Sequence, residues 1–287
     1  MRLGVCGMLP GDFRTITPRD FEPVRAIELT SANFHVPGDE VFDIQTSECR
    51  KVRDTFATAA MDLIQVGLGF GECLFDPDAA LRQQVIGKIN RGIEVVREME
   101  AWNCLIRTGS LSPTGSYSPC RKNSEPESYQ RLIETLGQIA AKAEAEGVTI
   151  VIETHALTIM GSPEINRQVV EDVGSERIRI VMDFVNHFQS LHQVYHSTER
   201  LNHIFDVMGP ICPLGHFKDI QMRDGLVLHI DEEVPGVGEL DMETALRRWH
   251  QFYPDGYMLL EHLPNEKYTL ASQNVHRIAA AAGIEIH

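Results

Sequence analysis

The chain alternates short apolar runs with longer segments in which apolar residues recur at helical spacing. The short runs are typical of strands buried on both faces, and the longer segments are typical of amphipathic helices. We expect eight strands, at 2–8, 26–30, 62–68, 104–108, 148–153, 178–183, 212–217 and 257–261. The clearest helices are expected at 79–102, 126–146, 197–208 and 241–252. This alternation predicts a parallel sheet with helical crossovers.

Four of the predicted strands end in a carboxylate or an imidazole, namely Glu153, Asp183, His216 and Glu261. The first two intervals are 30 and 33 residues (183 − 153 and 216 − 183). Both are close to the roughly 31 residues per unit of a (β/α)8 barrel of about 250 residues. The pattern therefore predicts an α/β fold, a single-domain (β/α)8 TIM barrel over residues 1–287. The last interval is longer and indicates an insertion at 221–241, expected to act as a lid or substrate clamp.

The four strand-end residues are expected to share the active-site rim of this barrel. Three carboxylates at one place repel each other and lose solvation unless a cation lies between them. A bound divalent metal is the simplest resolution, and an oxygen-rich site with one imidazole suits Mn²⁺ or Mg²⁺, with Co²⁺ or Zn²⁺ also compatible. We therefore expect one such ion, held by Glu153, Asp183, His216 and Glu261.

Strand alternation also predicts which neighbours of these four residues point into the barrel. Residues two positions earlier share their side of the strand. These residues are Val151, Val181, Leu214 and Leu259. All four are apolar, as the interior of a barrel requires.

A metal that holds a carbonyl and a neighbouring hydroxyl acidifies the adjacent C–H bond. A carboxylate on each face of the substrate could then remove and return a proton. Glu153 and Glu261 are the candidates for this catalytic pair.

Composition narrows the function further. The formal charge of −15 opposes a phosphate backbone, so we expect a small-molecule partner and no nucleic acid. No apolar run reaches the roughly 20 residues of a membrane span and no signal peptide is recognised, so we expect no membrane association and a cytoplasmic location. The six cysteines show no paired spacing and are expected to be mostly reduced core residues. The GLGFGE segment at 67–72 lacks the spacing of a dinucleotide-binding loop.

The motifs ETH, MDFVNH, GHFKD, PGVGELD and LLEH together resemble the xylose isomerase-like TIM barrels. That superfamily includes sugar-phosphate isomerases, ketose 3-epimerases, inosose dehydratases and endonuclease-IV-type nucleases. The resemblance covers nearly the whole chain and implies the same metal ligands, with the two glutamates as acid and base. It also suggests a homodimer or homotetramer.

The resemblance is less direct for the residues that bind substrate. Ketose 3-epimerases of the superfamily usually carry a histidine three residues after the strand-six aspartate, whereas this chain has Asn186 there and His187 next. They also keep an arginine shortly after the strand-seven histidine, and Arg223 lies in a longer stretch here. We expect His187, Asn186 and Arg223 to contact substrate. Lys218 shares the inward parity of His216 and is expected either to contact substrate or to pair with a carboxylate.

The leading prediction is a metal-dependent isomerase or epimerase of a ketose or related polyol-derived carbonyl compound, acting through an enediolate. The alternative is a lyase that dehydrates a keto-sugar or keto-inositol. An abasic-site nuclease fits less well, because such enzymes need further histidines near strands three and four, where this chain has Gly69, Glu72, Thr108 and Gly109. A non-catalytic sugar-binding barrel is a third possibility. His229 and His262 are additional candidates for the site.

Overall fold

A computed structural model describes all residues from 1 to 287 as one closed barrel surrounded by helices. The barrel strands are β1 (Arg2–Val5), β2 (Ser31–Pro37), β3 (Asp62–Gly69), β4 (Asn103–Arg107), β5 (Thr149–Glu153), β6 (Ile178–Met182), β7 (Leu214–Phe217) and β10 (Tyr257–Leu260). All are parallel, and the ring closes where β1 pairs with both β10 and β2. The predicted (β/α)8 architecture is confirmed.

The α-helices are α1 (Glu22–Arg25), α2 (Thr46–Thr58), α3 (Ala79–Met99), α4 (Pro126–Glu146), α5 (Pro163–Val173), α6 (Leu191–Tyr195), α7 (Ser197–Met208), α8 (Met242–Phe252) and α9 (Tyr268–Ala281). Their buried faces pack against the outer faces of the strands, which forms the main hydrophobic core. The four longest predicted helical segments are confirmed to within a few residues. None of these helices has both the length and the apolar character that crossing a bilayer requires.

The predicted inward parity of the later strands is confirmed. Val151, Val181, Leu214 and Leu259 pack together inside the barrel with Cys6, Ile64 and Leu105. This apolar layer forms a floor below the strand ends and keeps water out of the barrel interior. Polar side chains of the interior therefore gather above it, at the C-terminal rim.

The second strand was predicted at the wrong place. Residues 26–30 form the turn after α1, in which Glu28 has a φ of 61°, and the strand occupies Ser31–Pro37 instead. The prediction relied on a continuous apolar run. In the structure, apolar Ala32, Phe34 and Val36 alternate with polar residues, because the inward side of this strand carries polar groups of the rim.

The expected insertion after β7 forms a β-hairpin of β8 (Asp219–Arg223) and β9 (His229–Glu233). Buried Asp219 anchors the segment that follows the hairpin: its carboxylate accepts hydrogen bonds from the backbone N–H groups of Gly236, Gly238 and Leu240 at 3.0–3.1 Å. A Cβ at Gly238 would lie 2.3 Å from the Ile220 carbonyl oxygen, so only glycine fits. The PGVGEL motif is thus explained by the anchoring of the hairpin.

Candidate metal and catalytic site

The four strand-end residues converge as predicted. Each of Glu153, Asp183, His216 and Glu261 offers one donor atom, and the four atoms all lie within 4.8 Å of one another. All four side chains are buried. They stand at the ends of β5, β6, β7 and β10, which are consecutive around the ring, so the parallel register brings them to one half of the rim. We call these residues the four-residue cluster.

Two basic side chains contact the carboxylates of the cluster. The guanidinium of Arg107, at the end of β4, pairs with Glu153. The ammonium of buried Lys218 pairs with Glu261 and lies 2.9 Å from Asp183 Oδ2. Of the two expectations for Lys218, the structure shows the ion pair. The three carboxylates of the cluster therefore face these two cations and the imidazole of His216 in a site with little access to solvent.

The imidazole of His216 is held from both sides. Its Nδ1 atom lies 2.9 Å from Glu261 Oε2 and 3.6 Å from Glu153 Oε1. On the far side of the ring, Nε2 lies 3.4 Å from the side-chain amide of Gln65, which in turn accepts a hydrogen bond from Asn33. The chain Asn33–Gln65–His216 therefore directs Nδ1 toward the two glutamates.

The charges within the cluster and around it change the pKa values of its residues. Burial alone would raise the pKa values of Glu153 and Glu261, but His216 and the basic neighbours outweigh it and lower both. Burial would likewise lower the pKa of His216, but the two glutamates raise it to about 10. Burial raises the pKa of Asp183 to about 7. The two glutamates are thus ionised at neutral pH, as metal ligands must be.

The donor set fits a hard divalent cation. It comprises three carboxylates and one imidazole, a combination that suits Mn²⁺ or Mg²⁺. One oxygen of Asp183, Oδ2, accepts a hydrogen bond from Asn186 at 2.7 Å and contacts Lys218, whereas Oδ1 is buried without any partner. A buried carboxylate oxygen without a partner is costly, and a bound cation would satisfy it.

The other predicted substrate residues are only partly brought to the cluster. Asn186 contacts Asp183, as described. His187 is fully buried, with its Nε2 atom 3.4 Å from the side-chain amide of Asn166 on α5. It does not line either of the two cavities that flank the cluster. Arg223 lies on the exposed face of the hairpin, where its Nε atom donates to Asp231 at 2.9 Å. Substrate contacts by His187 and Arg223 stay predictions.

The two additional histidines differ in position. His262 follows Glu261 and lies 3.3 Å from Lys218 Nζ and 2.9 Å from Glu232 Oε2, beside the cluster. His229 begins β9 on the exposed face of the hairpin, opposite Arg223.

Several residues of the site were missed in the sequence. Arg107 ends β4 as Glu153 ends β5, and the two residues are paired in register. A basic residue at the end of a predicted strand could therefore have identified Arg107 as part of the site. Asn33 and Gln65 carry no such signal, because they lie within strands rather than at their ends. Glu232 lies on the hairpin, and its Oε1 atom is 3.1 Å from Lys218 Nζ. The sequence indicated this hairpin only as an insertion.

Two cavities flank the cluster. The first, which we call the polar cavity, has a volume of about 200 Å³ and is lined by Asn33, His35 and Arg107 together with Glu153, His216 and Glu261. The second, which we call the apolar cavity, has a volume of about 380 Å³ and lies between the loops after β5 and β6 and the hairpin. Three members of the cluster line the polar cavity, whereas only neighbours of the cluster line the apolar cavity.

Comparison with known proteins agrees with this geometry. The family model described as xylose isomerase-like TIM barrel matches residues 23–279. Comparison of the sequence with curated proteins gives no match.

Three similar solved structures share the fold across nearly the whole chain. A D-tagatose 3-epimerase-like protein has a TM-score of 0.73 at 14% identity, covering 99% of this chain and 98% of that one. A 3-keto-D-glucoside 4-epimerase from E. coli has a TM-score of 0.71 at 12% identity, covering 98% and 99%. A D-psicose 3-epimerase crystallised with D-fructose has a TM-score of 0.69 at 15% identity, covering 98% of each chain. With a family model that spans most of its length, this chain belongs to the xylose isomerase-like TIM barrel family.

Proposed function

We propose that the protein is a divalent-metal-dependent isomerase or epimerase of a ketose or related keto-sugar. The observation that carries this proposal is the convergence of four buried donor atoms within 4.8 Å at the rim of the barrel. By their descriptions, the similar structures named above are a 3-keto-D-glucoside 4-epimerase, a D-psicose 3-epimerase and a D-tagatose 3-epimerase-like protein, which supports the same class of substrate. Mn²⁺ or Mg²⁺ is the ion that the donor set favours.

The residues of the chain divide the work of such a reaction. Glu153 and Glu261 flank His216, and their lowered pKa values keep both ionised. One of these carboxylates would take a proton from the carbon next to the substrate carbonyl, and the other would return a proton. A divalent ion held by the cluster would polarise that carbonyl and stabilise the enediolate charge.

The basic neighbours keep the two glutamates in place for this exchange. Arg107 fixes the Glu153 carboxylate from the side of β4, and Lys218 fixes Glu261 from the side of β7. The apolar floor below the cluster limits the access of bulk water to the reacting atoms, and the glutamate that returns the proton would exchange it with solvent between turnovers.

The test is to incubate the protein with Mn²⁺ and candidate ketoses in deuterated water. We expect deuterium at the carbon next to the carbonyl and a rearranged sugar of unchanged composition. Glu153→Gln should abolish the exchange, whereas Glu134→Gln, which changes an exposed helix residue, should keep it. Loss of water from the substrate would show a lyase instead. Failure to exchange any ketose or keto-glycoside, with the metal bound, would contradict the proposal.

A further inference from the structure

The apolar cavity lies next to the four-residue cluster and is lined by neighbours of the cluster rather than by its members. Three polar side chains of its lining each contact a residue of the site. His155 Nε2 lies 4.0 Å from Glu153 Oε2, Asn186 Nδ2 lies 2.7 Å from Asp183 Oδ2, and Glu232 Oε1 lies 3.1 Å from Lys218 Nζ. A substrate bound at the cluster therefore has this cavity directly beside it.

The rest of the lining is apolar, with Ile220 and Ile230 from the hairpin and Val185 and Phe188 from the segment after β6. Val185, Phe188 and Ile220 are already buried, so the apolar surface left for a ligand comes mainly from Leu157 and Ile230. Leu157 is 57% exposed, an arrangement that gains stability only when an apolar group covers the side chain. Ordinary ketoses carry a hydroxyl group on every carbon except the carbonyl carbon, and they would leave the exposed apolar surface without complementary contacts.

An aromatic side chain extends this surface at the mouth of the cavity. Tyr117 is 43% exposed, packs edge-on against His155 with ring centroids 5.1 Å apart, and lies under the guanidinium of Arg107. A ring thus fixed from two sides offers its remaining surface to a planar or aliphatic ring of a ligand at little cost in side-chain entropy.

The charges of this region disfavour a phosphorylated substrate. No lysine or arginine lines the apolar cavity, and its one charged acidic side chain is Glu232. The nearest basic groups, Arg107 and Lys218, already pair with carboxylates of the site. A phosphoryl group here would be desolvated without a free cation to bind it.

We propose that the substrate is an unphosphorylated keto-sugar bearing an apolar, ring-containing substituent, with its sugar at the cluster and its substituent in the apolar cavity. This inference rests on the proposed function for the identity of the sugar carbonyl. The hairpin of β8 and β9 then forms one wall of the apolar cavity and helps to select the substrate.

The test measures binding rather than turnover, on the Mn²⁺-loaded protein by calorimetry. The probes are the 3-keto derivatives of phenyl β-D-glucopyranoside, methyl β-D-glucopyranoside and glucose 6-phosphate, so that each carries the carbonyl that the proposal requires. We expect the phenyl glucoside to bind about tenfold or more tighter than the methyl glucoside, and glucose 6-phosphate to bind no tighter than the methyl glucoside.

Two variants locate the site of this preference. Ile230→Asn changes the hairpin wall, and Leu157→Asn changes a side chain that is more than half exposed. Both should reduce the preference for the phenyl glucoside to less than about threefold. The control, Leu226→Asn, changes a fully exposed residue at the tip of the hairpin outside the cavity and should keep the preference.

The outcomes separate this inference from the proposed function. Equal binding of the two glucosides, no binding of the phenyl glucoside, a preference that survives both cavity variants, or tighter binding of glucose 6-phosphate would overturn it. Any of these results leaves deuterium exchange on a free ketose intact. Conversely, failure of that exchange with a preserved phenyl preference would overturn the reaction but support the cavity as the binding site of the substituent.

Discussion

The two halves of the barrel rim carry opposite chemistry. Strands β5, β6, β7 and β10 end in the four-residue cluster, which holds three carboxylates and an imidazole. Strands β2, β3 and β4, on the other half, contribute the amides of Asn33 and Gln65 and the guanidinium of Arg107. One half concentrates the groups that bind a cation and move protons. The other half supplies donors and a cation that hold those groups in place.

This difference shows why the carboxylates alone do not define the site. Glu153 depends on Arg107 across the β4–β5 pair, and the ring of His216 depends on Gln65 across the barrel. Substitutions in the two halves should therefore have different consequences. Changes in the carboxylate half should remove the chemistry, and changes in the opposite half should alter its pH range and its metal affinity.

The largest effect is expected for the two glutamates. Glu153→Gln and Glu261→Gln each keep the size of the side chain but remove a proton acceptor, so kcat should fall by about 10³-fold or more. Steady-state kinetics on any ketose that the wild-type protein converts would measure this. Wild-type kcat in either variant would contradict the assignment of that glutamate.

A smaller effect is expected for Arg107 in the opposite half. Arg107→Met removes the cation that favours the ionised form of Glu153, so the pKa of this carboxyl should rise. We expect kcat to fall by about 100-fold at neutral pH, and the acidic limb of the pH profile to move to higher pH. Arg107→Lys should recover part of the activity. An unchanged pH profile in Arg107→Met would show that the arginine has only a structural role.

Gln65 should affect metal binding more than chemistry. Gln65→Leu removes the polar group next to His216 Nε2, and loss of such a partner typically costs about 10- to 100-fold in metal affinity. Titration of Mn²⁺ into the metal-free protein measures the change. At saturating Mn²⁺ most of the activity should return. Wild-type affinity in this variant would contradict the proposed support of His216 by Gln65.

The smallest effect at neutral pH is expected for His187, which follows β6 but contacts Asn166 on α5 rather than the cluster. Burial lowers the pKa of His187 from 6.5 to about 3. A depressed pKa gives stability that is present above pH 6.5 and is lost as the pH falls toward 3. Between pH 7.5 and pH 5 this residue should remove about 2 kcal/mol of the free energy of unfolding.

Denaturant unfolding at the two pH values tests this. His187→Phe should show a pH dependence that is shallower by about 2 kcal/mol, whereas exposed His229→Asn should match the wild type. Loss of turnover in His187→Phe at neutral pH, with unfolding otherwise normal, would restore the substrate contact that the family resemblance suggested.

The sequence predicted those parts of the structure that depend on a single local pattern of residues. Continuous apolar runs ending in Glu153, Asp183, His216 and Glu261 identified the later strands, their register and the cluster. The prediction for β2 failed because Asn33 and His35 point into the rim and interrupt the apolar run. A strand that alternates polar and apolar residues is not recognised as a buried barrel strand unless the rim that its polar side chains face is known to be polar.

The remaining parts of the site depend on tertiary contacts. The hairpin of β8 and β9 could be seen only as extra length, so neither the approach of Glu232 to Lys218 nor the outward face of Arg223 was predictable. His187 follows the strand-six aspartate closely, but the turn after β6 carries its side chain to α5 instead of the cluster. Spacing along the chain does not fix the direction of a side chain within a turn.

The most direct test of the account is the stoichiometry and affinity of Mn²⁺ binding to the metal-free protein. We predict one ion per chain in the wild type and in the exposed control Glu134→Gln. In Asp183→Asn, which removes the carboxylate whose Oδ1 has no partner, the affinity should fall by about 100-fold or more. Absence of a bound ion in the wild type, or equal affinity in Asp183→Asn, would contradict the account.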